Sequence, residues 1–257
     1  MVQIKHEYLE SIDSTNNEIK RRAIKGAKEG LVISAGMQTA GRGRSGHQWE
    51  TPADISIATS LLLRPTMPVE QLHSLTLVAA VAVRRAIEGL YDIETWIKWP
   101  NDVIVQGKKI CGILTEMSAA NGQAEYVVVG IGVNVHQTSF SEELADKAIS
   151  VDMALQEQNP GTQKQGNCEE LTQRIWQEFV LLYEAFCMTQ DLSIVMEEYN
   201  RFLINRNAMV RVLDPQGEWE GIARGINEHG ELLVETKEDL RQVDSGEVSV
   251  RGVYGYV

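Results

Sequence analysis

Residues Val127 to Val135 read Val-Val-Val-Gly-Ile-Gly-Val-Asn-Val. A near-continuous apolar run of this length has no polar face to turn to water. It predicts a central strand of a sheet that is covered on both sides. Glu125 to Val135 is therefore read as one strand, paired through the Asn121-Gly122 hairpin turn with a strand over Ile110 to Met117. Gly130 and Gly132 inside it predict close approach by a ligand or by other backbone, with tight packing as the equal alternative.

The rest of the chain supplies partners for such a strand. Tyr8 to Ile12, Gly30 to Gly36, Ile55 to Leu63, Ile93 to Trp99 and Val103 to Gln106 read as further strands. In Ile55 to Leu63 the apolar residues alternate, which predicts one face on the core. Helices are expected over Asn16 to Lys25 and, with Leu72, Leu75, Ala79, Ala82 and Ala86 at helical spacing, over Val69 to Leu90. Gln137 to Gly166 is polar and reads as irregular, with Asn159-Pro160-Gly161 marking a loop. Leu171, Ile175, Phe179, Leu182 and Phe186 form one helical stripe, and a second helix covers Leu192 to Phe202. These aromatics read as core.

Composition shifts near Asn205. Met209 to Leu213, Glu218 to Ile226, Leu232 to Thr236, Arg241 to Val243 and Val248 to Arg251 are short strands. The segments Asp214-Pro215-Gln216-Gly217, Glu228-His229-Gly230 and Asp244-Ser245-Gly246 separate them. Together they predict a small SH3-like β-barrel. The expected fold is thus α+β: a mixed sheet flanked by helices over 1–205, then the barrel over 206–257.

Chemistry concentrates between Gln38 and Trp49, where Gly41, Gly43 and Gly46 alternate with Arg42 and Arg44. Glycine lets the backbone approach a ligand, successive N–H groups make an anion-binding concavity, and arginine adds forked donors. Trp49 offers a flat surface for a ring. The reading is a loop that grips a nucleotide or a charged small molecule; an exposed hairpin with solvated arginines is the plain alternative. Asp13-Ser14-Thr15-Asn16 begins a helix and holds more small polar residues than one cap needs. Lys98 stands before Trp99-Pro100, on backbone that proline stiffens. These cations can hold two anionic groups against their mutual repulsion, which suits a two-substrate adenylating reaction.

Several classes are excluded or disfavoured. The chain has no G-x-x-x-x-G-K-[ST], H-E-x-x-H or G-x-S-x-G, and its five scattered histidines predict no metal site. No run of 18 apolar residues predicts a membrane span, and the first residues lack a signal-peptide core. Three cysteines (Cys111, Cys168, Cys187) without C-x-x-C spacing suggest reduced thiols in a cytoplasmic protein. A formal charge of −12 makes the loop a local positive spot, better matched to a small anion than to nucleic acid.

The ordered segments Ser14-Thr15-Asn16, Gln38 to Gly46, Lys98 to Asp102, Lys109 to Leu114 and Gly130 to Asn134 resemble those of biotin protein ligases. Lipoate ligases share that fold but lack the G-R-G-R-x-G and K-W-P-N-D combination. The resemblance implies ATP, as its magnesium complex, and biotin as substrates. Biotinyl-5′-AMP forms first, and biotin then passes to a lysine of the biotin carboxyl carrier protein of acetyl-CoA carboxylase. It implies biotin contacts from Ser14, Thr15, Asn16, Gln38, Gly41, Arg42, Gly43, Arg44, Lys98 and Gly112. It implies nucleotide contacts from Arg42, Arg44, Trp49, Lys98, Asn101 and Asn134, with Arg42, Arg44 and Lys98 as the catalytic cations. A homodimer is also implied. With about a dozen residues before Ser14, the expectation is a monofunctional ligase lacking a DNA-binding domain. Cys111 stands where alanine is common in the family. A lipoate or octanoate ligase and a non-catalytic biotin or nucleotide sensor are the alternatives.

Overall fold

A computed structural model describes residues 2–214, 217–245 and 249–252. Its larger sheet has seven strands: β1 (Lys5–Ile12), β2 (Leu31–Gln38), β3 (Ser56–Leu63), β4 (Trp96–Lys98), β5 (Asp102–Val105), β6 (Lys108–Ala120) and β7 (Gln123–Asn134), in the spatial order β1-β2-β3-β7-β6-β5-β4. The apolar run lies on β7, in the middle of the sheet between β3 and β6. Only β1 and β2 run parallel. Parallel neighbours need a crossover, and α1 (Thr15–Ile24) supplies it.

One face of the sheet is covered by α2 (Leu75–Tyr91), α4 (Cys168–Thr189) and α5 (Ser193–Phe202). Val127, Val129, Ile131 and Val133 of β7 bury into that layer, as do Leu61 and Leu63 of β3. The opposite face carries a smaller core beneath α1, where Ile19 and Ala23 meet Leu62 and Val128. At about 1.5–3 kcal/mol for each fully buried Val, Leu or Ile, both layers hold the sheet firmly. β3 is consequently buried along its whole length, not on one face as its alternation predicts. The small and polar residues of the alternation, Ala58 and Ser60, lie against the ligand cleft and α1 instead of solvent.

Other differences are local. The helix expected over Val69 to Leu90 divides into a 3₁₀ turn at Val69–Ser74 and α2, which Asp92 ends in the left-handed region at φ 57°. The strand expected over Ile93 to Trp99 contracts to β4. The segment read as irregular contains α3 (Val151–Gln158), capped by Ser150 Oγ, which accepts from the Met153 amide at 3.2 Å. The Asn121-Gly122 turn is as expected, with φ of 54° and 76°.

The second sheet comprises β8 (Met209–Asp214), β9 (Gly217–Ile226), β10 (Leu232–Glu235), β11 (Leu240–Val243) and β12 (Ser249–Gly252), ordered β11-β10-β9-β8-β12 and antiparallel throughout. Its edge strands do not pair among the described residues, so no closed barrel is found there, while the separate antiparallel sheet is consistent with the expected SH3-like domain. Pro215, Gln216, Gly246 and Val248, which belong to expected turns and to the last strand, lie outside the described residues. Trp99 Nε1 donates to the Gly230 carbonyl at 3.0 Å, and the Leu192 amide to Glu228 at 2.9 Å. Val210, Val212, Leu232 and Val234 join the main core. No described helix is long and apolar enough to cross a membrane.

Candidate functional site

The cleft arises from pairing register. Ala58 of β3, Gly132 of β7 and Gly112 of β6 form one cross-strand row, and Ser60, Gly130 and Leu114 form another. Directly paired residues present their side chains on the same face of the sheet. Small residues on three adjacent strands therefore leave bare floor just where the cover of α1 ends. The result is an open cleft over this floor. Both glycines of β7 are required by contact. An added Cβ on Gly130 would overlap the Asn16 amide, and on Gly132 the Trp49 indole.

One end of the cleft is polar and uncharged. Ser14 begins α1 yet makes no capping bond with its side chain. Thr15 donates to Gln38 Oε1 through its amide at 2.8 Å and its hydroxyl at 3.1 Å, while Gln38 Nε2 donates to Thr51 at 3.0 Å. Ser60 Oγ lies 2.6 Å from Asn16 Oδ1 and 2.7 Å from Thr15 Oγ1. Asn16 Nδ2 donates to Glu116 Oε2 at 2.9 Å and faces the Leu114 carbonyl at 3.3 Å. Neutral donors and acceptors held this way suit a ring of amide-like character.

The other end is cationic. Trp49 lies against Gly112 and Gly132, and Lys109 Nζ stands 5.4 Å above its ring. Lys109 also pairs with Asp102 at 2.6 Å. Arg44 reaches from the loop to Asn101 Oδ1 at 3.2 Å and to the Ser245 carbonyl, just after β11, at 2.8 Å. Burial lowers the Arg44 pKa, and Asp102 acts against that. Lys98, 7% exposed, pairs with Asp102 in the β4–β5 register. Desolvation brings its ammonium down from 10.5 to about 8; Asp102 raises it, while Lys109 and Arg251 lower it further. Arg42, more exposed, meets Asn17 Oδ1 at 3.2 Å and Glu116 at 3.3 Å.

Ser14, Thr15, Asn16, Gln38, Arg42, Gly43, Arg44, Trp49, Asn101 and Gly112 all line this cleft. Lys98, Gly41 and Asn134 do not. Lys98 stands opposite Asp102 in the β4–β5 pair, within electrostatic reach of the lining residue Lys109. Gly41 supports the loop, its carbonyl accepting from the Trp49 amide at 3.1 Å. Asn134 is buried with its amide turned to the Ile149 carbonyl at 3.2 Å and the Lys109 carbonyl at 3.4 Å.

Sequence reasoning assigned no role to Lys109, Glu116 or Ala58. Lys109 was hidden in what reads as a Gly-Lys-Lys turn. Its place on β6, the strand next to β7, was the missing signal. Cys111 is fully buried in the core, where burial raises its pKa. The cleft lining contains no cysteine or histidine. The arrangement can hold an extended ligand with a neutral head, an anionic middle and a flat ring, and can bring two anions together between fixed cations.

Comparisons with known proteins bear on what that ligand is. Residues 8–134 match the family described as "Biotin/lipoate A/B protein ligase family", and residues 207–251 match "Biotin protein ligase C terminal domain". The "Bifunctional ligase/repressor BirA" of Bacillus spizizenii is 36% identical over 245 residues, covering 95% of this chain and 73% of that protein. The "Biotin--[acetyl-CoA-carboxylase] ligase" of Mycobacterium tuberculosis is 33% identical over 244 residues, covering 91% of this chain and 85% of that protein. Among solved structures, "Biotin protein ligase from Aquifex aeolicus in complex with biotin and ATP" superposes with a TM-score of 0.82 at 29% identity, covering 96% of this chain and 99% of that one.

Proposed function

The chain belongs to the biotin/lipoate A/B protein ligase family, and from that premise we propose that it is an ATP-dependent biotin protein ligase. The biotin carboxylate attacks the α-phosphorus of ATP. A carboxyl O–P bond forms, the bond to pyrophosphate breaks, and biotinyl-5′-AMP results. A lysine amine of a carrier protein then attacks the acyl carbon, loses a proton and forms an amide as AMP leaves. We take the carrier to be the biotin carboxyl carrier protein of acetyl-CoA carboxylase, and magnesium to arrive with ATP as part of that substrate.

The observation that carries the reading is a single cleft with a neutral polar end and a cationic, aromatic end on one strand. We assign the ureido ring to Ser14, Thr15, Asn16 and Gln38, and the adenylate to Arg44, Trp49 and Asn101. Arg42, Lys98 and Lys109 then flank the site where carboxylate meets phosphate. Attack of one anion on another is slow in water, and preorganised cations in a partly desolvated site lower that barrier. No covalent enzyme nucleophile is needed, because both steps join bound substrates. Loop closure over the mixed anhydride keeps water from hydrolysing it.

We further propose a catalytic domain over 1–205 and a small second domain over 206–257. A homodimer in the cytoplasm is proposed as well; Cys111, Cys168 and Cys187, all free thiols, agree with a reducing compartment. The test is ATP–pyrophosphate exchange. Exchange that depends on biotin is expected; exchange with lipoate and none with biotin would overturn the assignment.

A further inference from the structure

We propose that Glu116 is a positioning residue: a latch that holds the Arg42 loop against the sheet and sets the orientation of the Asn16 amide. The proposal rests on the ligase reading and concerns how the site is kept assembled. Glu116 sits on β6, two residues beyond Leu114 of the cleft wall, with a side chain 19% exposed. Three groups from two separate elements converge on it. Lys20 of α1 approaches Oε1 at 2.6 Å, and Arg42 of the loop approaches the same oxygen at 3.3 Å. Asn16 of α1 donates to Oε2 at 2.9 Å. Burial by itself raises the carboxyl pKa, but the bonds from Lys20 and Asn16 and the two positive charges bring it below the ordinary range.

This geometry makes the carboxylate a sorting device. Because Oε2 accepts and cannot donate, Asn16 must turn its NH₂ toward Glu116, which leaves Oδ1 facing Ser60 and the floor at Gly130. The Leu114 carbonyl, 3.3 Å from Nδ2, favours the same orientation, so acceptors on β6 set the amide next to the ligand. Oε1 is shared, and the two cations compete for it. Lys20 belongs to the rigid helix; Arg42 belongs to the loop and is 47% exposed. Arg42 is therefore tied to the sheet through a carboxylate oxygen that a helix residue also claims.

The sharing gives two variants opposite signs. Glu116→Gln keeps the shape but places an NH₂ group against either Asn16 Nδ2 or the two cations. Leaving such a partly buried polar group mismatched costs enough for about a tenfold effect. The expected results are a biotin KM raised about tenfold and a correspondingly shorter residence of biotinyl-AMP. Lys20→Gln removes the competing cation, leaves the latch to Arg42 alone, and lengthens adenylate residence. In a double-mutant cycle, Arg42→Ala combined with Glu116→Gln should speed adenylate release by less than the product of the two single effects.

The experiment measures exchange kinetics and the chase of preformed radiolabelled adenylate for the parent and all variants, with thermal melts alongside. A parent active in biotin-dependent exchange separates this test from the ligase assignment itself. Additive losses in the cycle would overturn the latch, and so would unchanged adenylate residence in Lys20→Gln, which is measurable even if Glu116→Gln failed to fold.

Discussion

Lys98 makes the sharpest single test because its roles in stability and catalysis have opposite signs. Lys98→Met removes a charge that is 7% exposed and keeps the aliphatic stem. In the folded protein the ammonium titrates at about 8, against 10.5 for an unburied lysine. At 1.36 kcal/mol per pH unit, that drop disfavours the buried charge by about 3 kcal/mol. The unfolded chain keeps its proton up to about 10.5, the folded chain only to about 8. Between those values the unfolded state binds more protons, so stability rises with pH through this window. Below pH 8 the whole penalty is present, and above 10.5 it has gone. Asp102 keeps its Lys109 partner at 2.6 Å in the variant, so no carboxylate is orphaned. Lys98→Met should therefore be more stable than the parent at pH 7 by up to about 3 kcal/mol, a rise in Tm of roughly 2–4 °C per kcal/mol for a chain of this size. The gap should close toward pH 10.5. Guanidinium unfolding followed by tryptophan fluorescence across pH 7–10.5 measures it. Over the same range the parent kcat/KM for ATP should fall above pH 8 as the ammonium is lost, while the variant lacks exchange activity at every pH. A gap that stays flat with pH would refute the desolvated charge. Near-normal exchange by Lys98→Met would refute its place beside the reacting anions.

Gly132→Ala should displace Trp49 from its floor and raise the ATP KM by an order of magnitude with smaller change in biotin KM; equal effects on both, in exchange kinetics, would contradict the division of the cleft. Arg44→Gly should leave the thermal melt within a few degrees while biotinyl-AMP escapes faster, measured by chase or by unselective biotinylation of added protein; adenylate retained as firmly as in the parent would show that the loop is no lid. Trp99→Phe removes the indole bond to Gly230 and should cost about 1 kcal/mol in denaturant unfolding. An unchanged midpoint would mean that this link between the two sheets carries little.

Much of the sheet could be read from side-chain pattern because β7 and α2 are buried on nearly every side, and burial imprints on sequence as unbroken apolar character. α3 left no such imprint: it is eight residues long, buries only Val151, Ala154 and Leu155, and its Ser150 cap sits in a polar stretch. β3 misled for the converse reason. Its small and polar positions look solvent-facing, yet Ser60 hydrogen-bonds buried Thr15 and Asn16. At the site, the loop and the Ser14–Asn16 cluster stood out because both carry more function than turns and caps require. Lys109 and Glu116 did not, since a lysine in a turn and a glutamate on a strand look like ordinary surface residues. What makes them part of the site is strand register, which no local pattern encodes.

That register also places the two halves of the cleft within reach of one ligand. Gly130 and Gly132 lie two residues apart on β7, on the same face, hence about 7 Å from each other along the strand. Asn16 rests on the first and Trp49 on the second. A group held at Asn16 and a ring packed on Trp49 are thereby fixed within the span of one small molecule. Sliding β7 by one residue would turn both glycines toward the main core and put Ile131 onto the cleft floor. The site therefore cannot loosen at one end without the other. In the proposed ligase reading, adenylate and its acyl group lie over alternate positions of the central strand of the sheet. Adaptability has to come from the covering loop, where Arg42 and Arg44 are tied down by Glu116, Asn101 and Ser245.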